Sequence, residues 1–197
     1  MLTESSISPG SCWTTEVLLT LSVRSFAESS STTKLRVVFD ASAVTTSDAS
    51  ERAYGACVYV RSTSASGSSH VFLLTSKSKV APIKPLTVPR LELCAALLGA
   101  RLYLKVIQSL TTQFSDTTFW CDSSIVLGWL STTPTRLKPF VRHRISEIQD
   151  TVGGDCWRYV PSGENPADLV SRGLSARELC DSSLWWSGPQ FLQSDSS

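Results

Sequence analysis

The chain has 197 residues, 42% of them apolar and 18% charged, which suits one domain with a sizeable core, or one domain and a tail. Lys and Arg total 18 against 17 Asp and Glu, a net charge of +1. That balance excludes a charged disordered tail as the main theme, and any nucleic-acid or membrane partner has to be argued from local patches.

Cysteines stand at 12, 57, 94, 121, 156 and 180, with no C-x-x-C pair and only two histidines, His70 and His143. This pattern argues against zinc and for reduced thiols in an intracellular protein, cytoplasmic or nuclear and not secreted. No apolar run is long enough for a membrane span, and no basic segment leads the Val17–Val23 stretch, so neither membrane partner nor signal peptide is expected.

Residues 1–34 are serine-rich and without sustained period, and are expected to form a poorly ordered leader. Leu35–Phe39 (LRVVF) reads as a first strand ending at Asp40, followed by a polar, turn-like Ala41–Arg52. Ala53–Arg61 and His70 to about Lys77 read as two further strands of a meander. Pro89 then opens a long helix, with Leu91, Ala95, Leu98, Leu102 and Val106 as its apolar stripe. Thr117–Cys121 is a strand, and Ser123 or Ser124 caps a short helix to Leu130. Pro139 starts a helix that Gly153-Gly154 ends, Cys156–Val160 is a fifth strand, and Asn165-Pro166 caps and opens another helix. The order βββαβααβα predicts an α/β domain with helices packed on a mixed sheet.

Acidic residues are sparse, so their placement informs. Asp122 follows an apolar strand, where ligands of α/β sheets gather. Glu92 and Asp168 are read into first helical turns, and Asp40 ends the first strand. Each could be a cap or a dipole partner taken alone. Together they could converge on one sheet edge, where their repulsion calls for cations, and oxygen-only ligands select Mg²⁺ or Mn²⁺.

Six ordered blocks carry a closer likeness: Asp48–Ala56 (DASERAYGA), Ser76–Pro82 (SKSKVAP), Leu86–Ala96 (LTVPRLELCAA), Trp120–Leu127 (WCDSSIVL), Val160–Asp168 (VPSGENPAD) and Leu184–Pro189 (LWWSGP). They resemble the ribonuclease H region of BEL/Pao-type retrotransposon polyproteins. The resemblance implies a ribonuclease H-like mixed five-stranded sheet, three antiparallel strands and then two parallel, with helices on both faces. The blocks span about Asp48 to Leu192, and with the elements read above the domain is expected over about 35–180, followed by an aromatic C-terminal tail over 181–197. The resemblance also implies an endonuclease that cuts the RNA strand of an RNA–DNA hybrid using two Mg²⁺ (or Mn²⁺), with other parts of a retroelement polyprotein as possible partners. Carried over residue by residue, the metal ligands are Glu92, Asp122 and Asp168.

For the first ligand Asp40 and Asp48 are rivals. The family's motif matches Asp48, yet the residues before it, Ala43–Ser47 (AVTTS), are polar for a central strand. The apolar LRVVF ends at Asp40 and argues for that residue. Residues 34–47, opening KLRVVFDASA, also resemble a reverse transcriptase fragment, which would have joined upstream and replaced the native first strand. The mobile His that many ribonucleases H carry before the last Asp is replaced here by Ser162-Gly163-Glu164. Arg90, Arg136, Lys138, Arg142 and Arg144 are the expected phosphate contacts, with Lys77 and Lys79 near the edge, and Ser123 is placed to reach a sugar 2′-hydroxyl.

Overall fold

The structure is a computed structural model that describes residues 40–63, 69–110 and 114–193. The expected leader over 1–34, the expected strand Leu35–Phe39 and Cys12 lie outside these residues.

The strands are β1 (Asp40–Ala49), β2 (Ala53–Thr63), β3 (Ser69–Val80), β4 (Asp116–Cys121) and β5 (Trp157–Tyr159). Between β3 and β4 runs the long α1 (Val88–Ser109). Helices α2 (Ser124–Leu130) and α3 (Pro139–Val152) join β4 to β5, and α4 (Pro166–Arg172), α5 (Ala176–Asp181) and α6 (Ser183–Ser187) follow it. The sheet order is β3-β2-β1-β4-β5. β1, β2 and β3 pair antiparallel, whereas β1–β4 and β4–β5 pair parallel. This is the expected mixed five-stranded α/β sheet with helices on both faces.

Local chemistry sets most of the boundaries. Pro89 lies within the first helical positions of α1, Pro139 opens α3, and Gly153 at φ 79° ends it. The Ser123 hydroxyl accepts the Val126 N–H, and Asn165 caps α4. Because α1 begins at Val88, Glu92 sits in its second turn and not in its first.

The expectation for the first strand needs correcting. Ala41–Ala49, read as a polar turn, forms the central strand β1. Its own hydrophobicity did not decide this; its neighbours did. Ala43, Val44, Thr45, Thr46 and Ser47 are at most 3% exposed. Gly99 of α1 lies so near that a Cβ there would stand 3.2 Å from Thr45 Cγ2, so only small or β-branched side chains fit beneath the helix. Thr suits a strand by shape, and the apolar cover comes from the partners.

That cover has two layers. On one face, Leu93, Ala96 and Leu97 of α1 pack with Phe119, Val126, Leu130, Ile145 and Ile148. On the other, Val44, Tyr59, Val71 and Leu73 pack with Ala167, Trp185 and Leu192. Residues 183–192, set apart as a tail from the sequence, therefore complete this second layer: the Tyr59 hydroxyl donates to the buried Trp185 carbonyl at 2.8 Å. Among the described residues no helix is long and apolar enough to cross a membrane.

Candidate active site

The carboxyl ends of β1 and β4 lie side by side, with Ser47 paired to Cys121. Asp48 and Asp122 therefore leave the two central parallel strands at one level, where α/β sheets place their ligands. Asn165 fastens α4 to this edge. Its fully buried side chain accepts the Ala167 N–H at 3.1 Å and donates to the Ser47 carbonyl at 3.0 Å. One bond forms the cap and the other ties that cap to β1, so Asp168 in the first turn of α4 is brought close to Asp48.

A second tie comes from the end of α4. The buried Ser171 hydroxyl donates to Asp48 Oδ2, and the Ser50 hydroxyl donates to the Ser171 carbonyl at 2.7 Å. Glu92 reaches the edge from α1 and hydrogen-bonds the Ser123 hydroxyl, which also caps α2. Asp122 Oδ2 accepts from the Ser162 hydroxyl at 2.8 Å, while its Oδ1 is buried without a hydrogen-bond partner. Arg172 closes the group, its Nε standing 2.6 Å from Asp168 Oδ1.

The electrostatics follow from this crowding. Burial, with the charges of Asp122 and Asp168 adding to it, pushes Asp48 up to about 7 against the opposing hydrogen bond from Ser171. Burial also raises Glu92, helped by Asp122 and opposed by the Ser123 hydrogen bond. Arg172 is held more firmly protonated, first by its hydrogen bond to Asp168 and then by the fields of Asp168, Asp48 and Asp122.

Of the rival aspartates, the structure brings Asp48 to the others and leaves Asp40 away. Asp40 begins β1 and pairs with Thr63, and eight residues of strand, about 26 Å, separate it from Asp48. The preference for Asp40 is thus corrected at the level of geometry. It rested on an apolar strand ending at Asp40, whereas β1 begins at Asp40 and ends at Ala49.

Among the described residues no three Asp, Glu, His or Cys side chains are grouped closely enough to hold a metal ion as they stand. The donor chemistry nevertheless fits a hard cation. The donors are all oxygen, Asp122 Oδ1 is buried without a partner, and the carboxylates repel one another. Asp48, Glu92, Asp122 and Asp168 are the residues that could hold it.

The expected nucleic-acid contacts divide. Arg136 and Lys138 are exposed, and Arg142 is half-buried. Arg90 from α1 and Arg144 from α3 both lie over the Phe140 ring, at 5.1 Å and 3.6 Å from its centroid. That shared ring places two cations where the two helices meet. Ser123, expected to face a sugar, is only 6% exposed, and its hydroxyl is engaged by Val126 and Glu92. The sequence reading had no role for Ser50, Ser171 or Arg172, and it took Asn165 as a cap alone. The one available signal was that Ser171 and Arg172 stand three and four residues after Asp168, on its face of a helix.

Among solved structures, the N-terminal RNase H domain of Rv2228c from Mycobacterium tuberculosis, fused to maltose binding protein, is similar at 19% identity and TM-score 0.45, covering 66% of this chain and 91% of that one. RNase H1 from the halophilic archaeon Halobacterium salinarum NRC-1 is similar at 16% identity and TM-score 0.39, covering 64% of this chain and 89% of that one. LC11-RNase H1, in complex with RNA/DNA hybrid, is similar at 14% identity and TM-score 0.40, covering 65% of this chain and 91% of that one. No curated protein matches the chain. A family model does: that of the Pao retrotransposon-like RNaseH-like domain matches residues 22–123, just over half of the chain. The matched span holds Asp48, Glu92 and Asp122, and also residues 34–47, which looked like a fragment of another domain. The chain belongs to the family of Pao retrotransposon-like, RNase H-like domains.

Proposed function

We propose that this chain is an endonuclease of the ribonuclease H type that hydrolyses the RNA strand of an RNA–DNA hybrid, using divalent cations held by Asp48, Glu92, Asp122 and Asp168. The observation that carries the reading is the placement of Asp48 and Asp122 at the carboxyl ends of neighbouring parallel strands, with Asp168 brought to the same edge by Asn165 and Asp122 Oδ1 buried and unpartnered. Mg²⁺ or Mn²⁺ bound there would supply an activated water and charge stabilisation for the leaving oxygen. The chain's own residues do the positioning. Asn165 and Ser171 fix α4 and Asp48 to one another, Ser123 steers Glu92, and Ser162 orients Asp122. Arg90, Arg144, Lys138 and Arg136 offer phosphate contacts, which give affinity without sequence reading. Within a retroelement polyprotein, neighbouring domains would be its partners.

The test is cleavage of a labelled RNA–DNA hybrid by the purified chain, with Mg²⁺ or Mn²⁺ and with chelator, beside duplex DNA as a control. Asp48→Asn and Asp122→Asn should each lose at least ~100-fold in rate, and Asp40→Asn should cut as the parent does. A folded chain that leaves the hybrid intact with either metal overturns the reading and makes this copy an inactive remnant. Loss of cutting in Asp40→Asn alone would overturn the choice of Asp48.

A further inference from the structure

We infer that the last turn of α4 is a two-pronged positioning device for the carboxylates, in which Ser171 holds Asp48 in place and Arg172 is the resident counter-ion that a divalent cation must displace from Asp168. The inference rests on the metal-site reading above and extends it to two residues outside the ligand set.

The geometry argues for it in three steps. First, adjacent residues of one short helix reach two carboxylates that come from different elements: Ser171 binds Asp48 at the end of β1, and Arg172 binds Asp168 at the start of α4. The helix is pressed close enough for this because Gly55, the β2 partner of Asp48, has no side chain. A Cβ at Gly55 would stand 3.1 Å from Val170 Cγ1. Second, the two prongs differ in exposure. Ser171 is 1% exposed and also meets the Asp168 carbonyl at 3.2 Å, so its hydroxyl is fixed. The Arg172 side chain is 69% exposed and makes its ion pair at the rim. A pair of that kind is weak and screened by solvent, so it can be exchanged cheaply. Third, Arg172 lies in the field of Asp48 and Asp122 as well as Asp168. An ordinary i,i+4 ion pair needs none of these extra carboxylates. A divalent cation that enters the group has to displace Arg172 from Asp168.

The two prongs therefore act in opposite directions on metal affinity. Removing the Arg172 charge leaves Asp168 free and the site more negative, so a divalent cation binds more tightly. Removing the Ser171 hydroxyl lets Asp48 turn away, so the same cation binds more weakly. A merely structural role for either residue would change stability without moving affinity in opposed directions.

The test is calorimetric titration of the full chain with Mn²⁺ alone, in the absence of nucleic acid. Arg172→Gln should bind Mn²⁺ roughly two- to fivefold more tightly than the parent, and Arg172→Lys, which keeps the charge, should lie close to the parent. Ser171→Ala should bind about tenfold more weakly, and Ser171→Thr should restore most of the loss. Unfolding in chelator confirms that each variant is folded. If the parent binds Mn²⁺ and Arg172→Gln binds it equally or more weakly, the counter-ion role is overturned while the metal site stands. If the folded parent and Asp122→Asn are alike in binding no Mn²⁺, the metal-site reading fails and this inference fails with it.

Discussion

Asp48 is 5% exposed, faces two other carboxylates, and is raised to about 7 chiefly by burial. A buried charge without a cation opposes folding. Asp48→Asn keeps the shape and the hydrogen-bonding reach while removing that charge. In chelator at pH 8 it should stabilise the fold by about 1–3 kcal/mol, read from urea or thermal unfolding, even as cleavage is lost. An unchanged or lower stability would mean that Ser171 and solvent already satisfy the carboxylate. The residue scale is also where the sequence was hardest to read. Glu92, Asp122 and Asp168 could be picked out because each stands at a strand end or near a helix start. On the same ground the choice between Asp40 and Asp48 leaned the other way, since both open an Asp-Ala-Ser but only Asp40 follows an apolar run. What separates them is register: only Asp48 reaches the β4 edge. Ser171 was invisible for a similar reason, its contact spanning 123 residues of chain.

Elements with their own punctuation were legible, and those that depend on their neighbours were not. Helices α1 to α4 are announced by Pro89, Ser123, Pro139 and Asn165-Pro166, each next to an apolar stretch. β1 has no such signal, because Thr45, Thr46 and Ser47 are buried by α1 and by the second layer, not by their own hydrophobicity. Asn165 joins the two kinds of element. Its side chain caps a legible helix and ties it to the illegible strand through the Ser47 carbonyl. Asn165→Ala should lose the cap and leave a buried carbonyl unpaired, costing about 2–4 kcal/mol. Urea unfolding measures the cost. Asn165→Asp keeps the acceptor for Ala167 but lacks the donor to Ser47. It also buries a carboxylate against the Ser47 carbonyl, so it should be no more stable than Asn165→Ala, and recovery of stability would show that the strand tie contributes nothing.

At the scale of the whole molecule, the sheet divides the core into two layers with different origins. The layer under α1 and α3 is built from elements contiguous along the chain, and the family match covers much of it. The opposite layer is closed late, by α4 and the segment from Trp185 to Leu192. Trp185 is 3% exposed, its carbonyl takes the Tyr59 hydroxyl, and Phe191 packs on Trp120 at 4.8 Å. This segment covers β1 on the face that carries Asp48, so the carboxylate edge depends on it indirectly, through the packing of α4. Trp185→Ala should therefore cost about 3–5 kcal/mol. Cys57 reports where the loss occurs. It belongs to this layer, is fully buried, and has its thiol raised well above the usual range by that burial. Alkylation at pH 8 followed by peptide mapping should leave Cys57 unlabelled in the parent while the exposed Cys180 reacts. In Trp185→Ala, Cys57 should become labelled before Cys121, whose thiol lies in the other layer and is pushed up to about 12 by burial. Labelling of both at one rate would mean that the molecule opens as a single unit, and that the late layer is not a separate cover over the site.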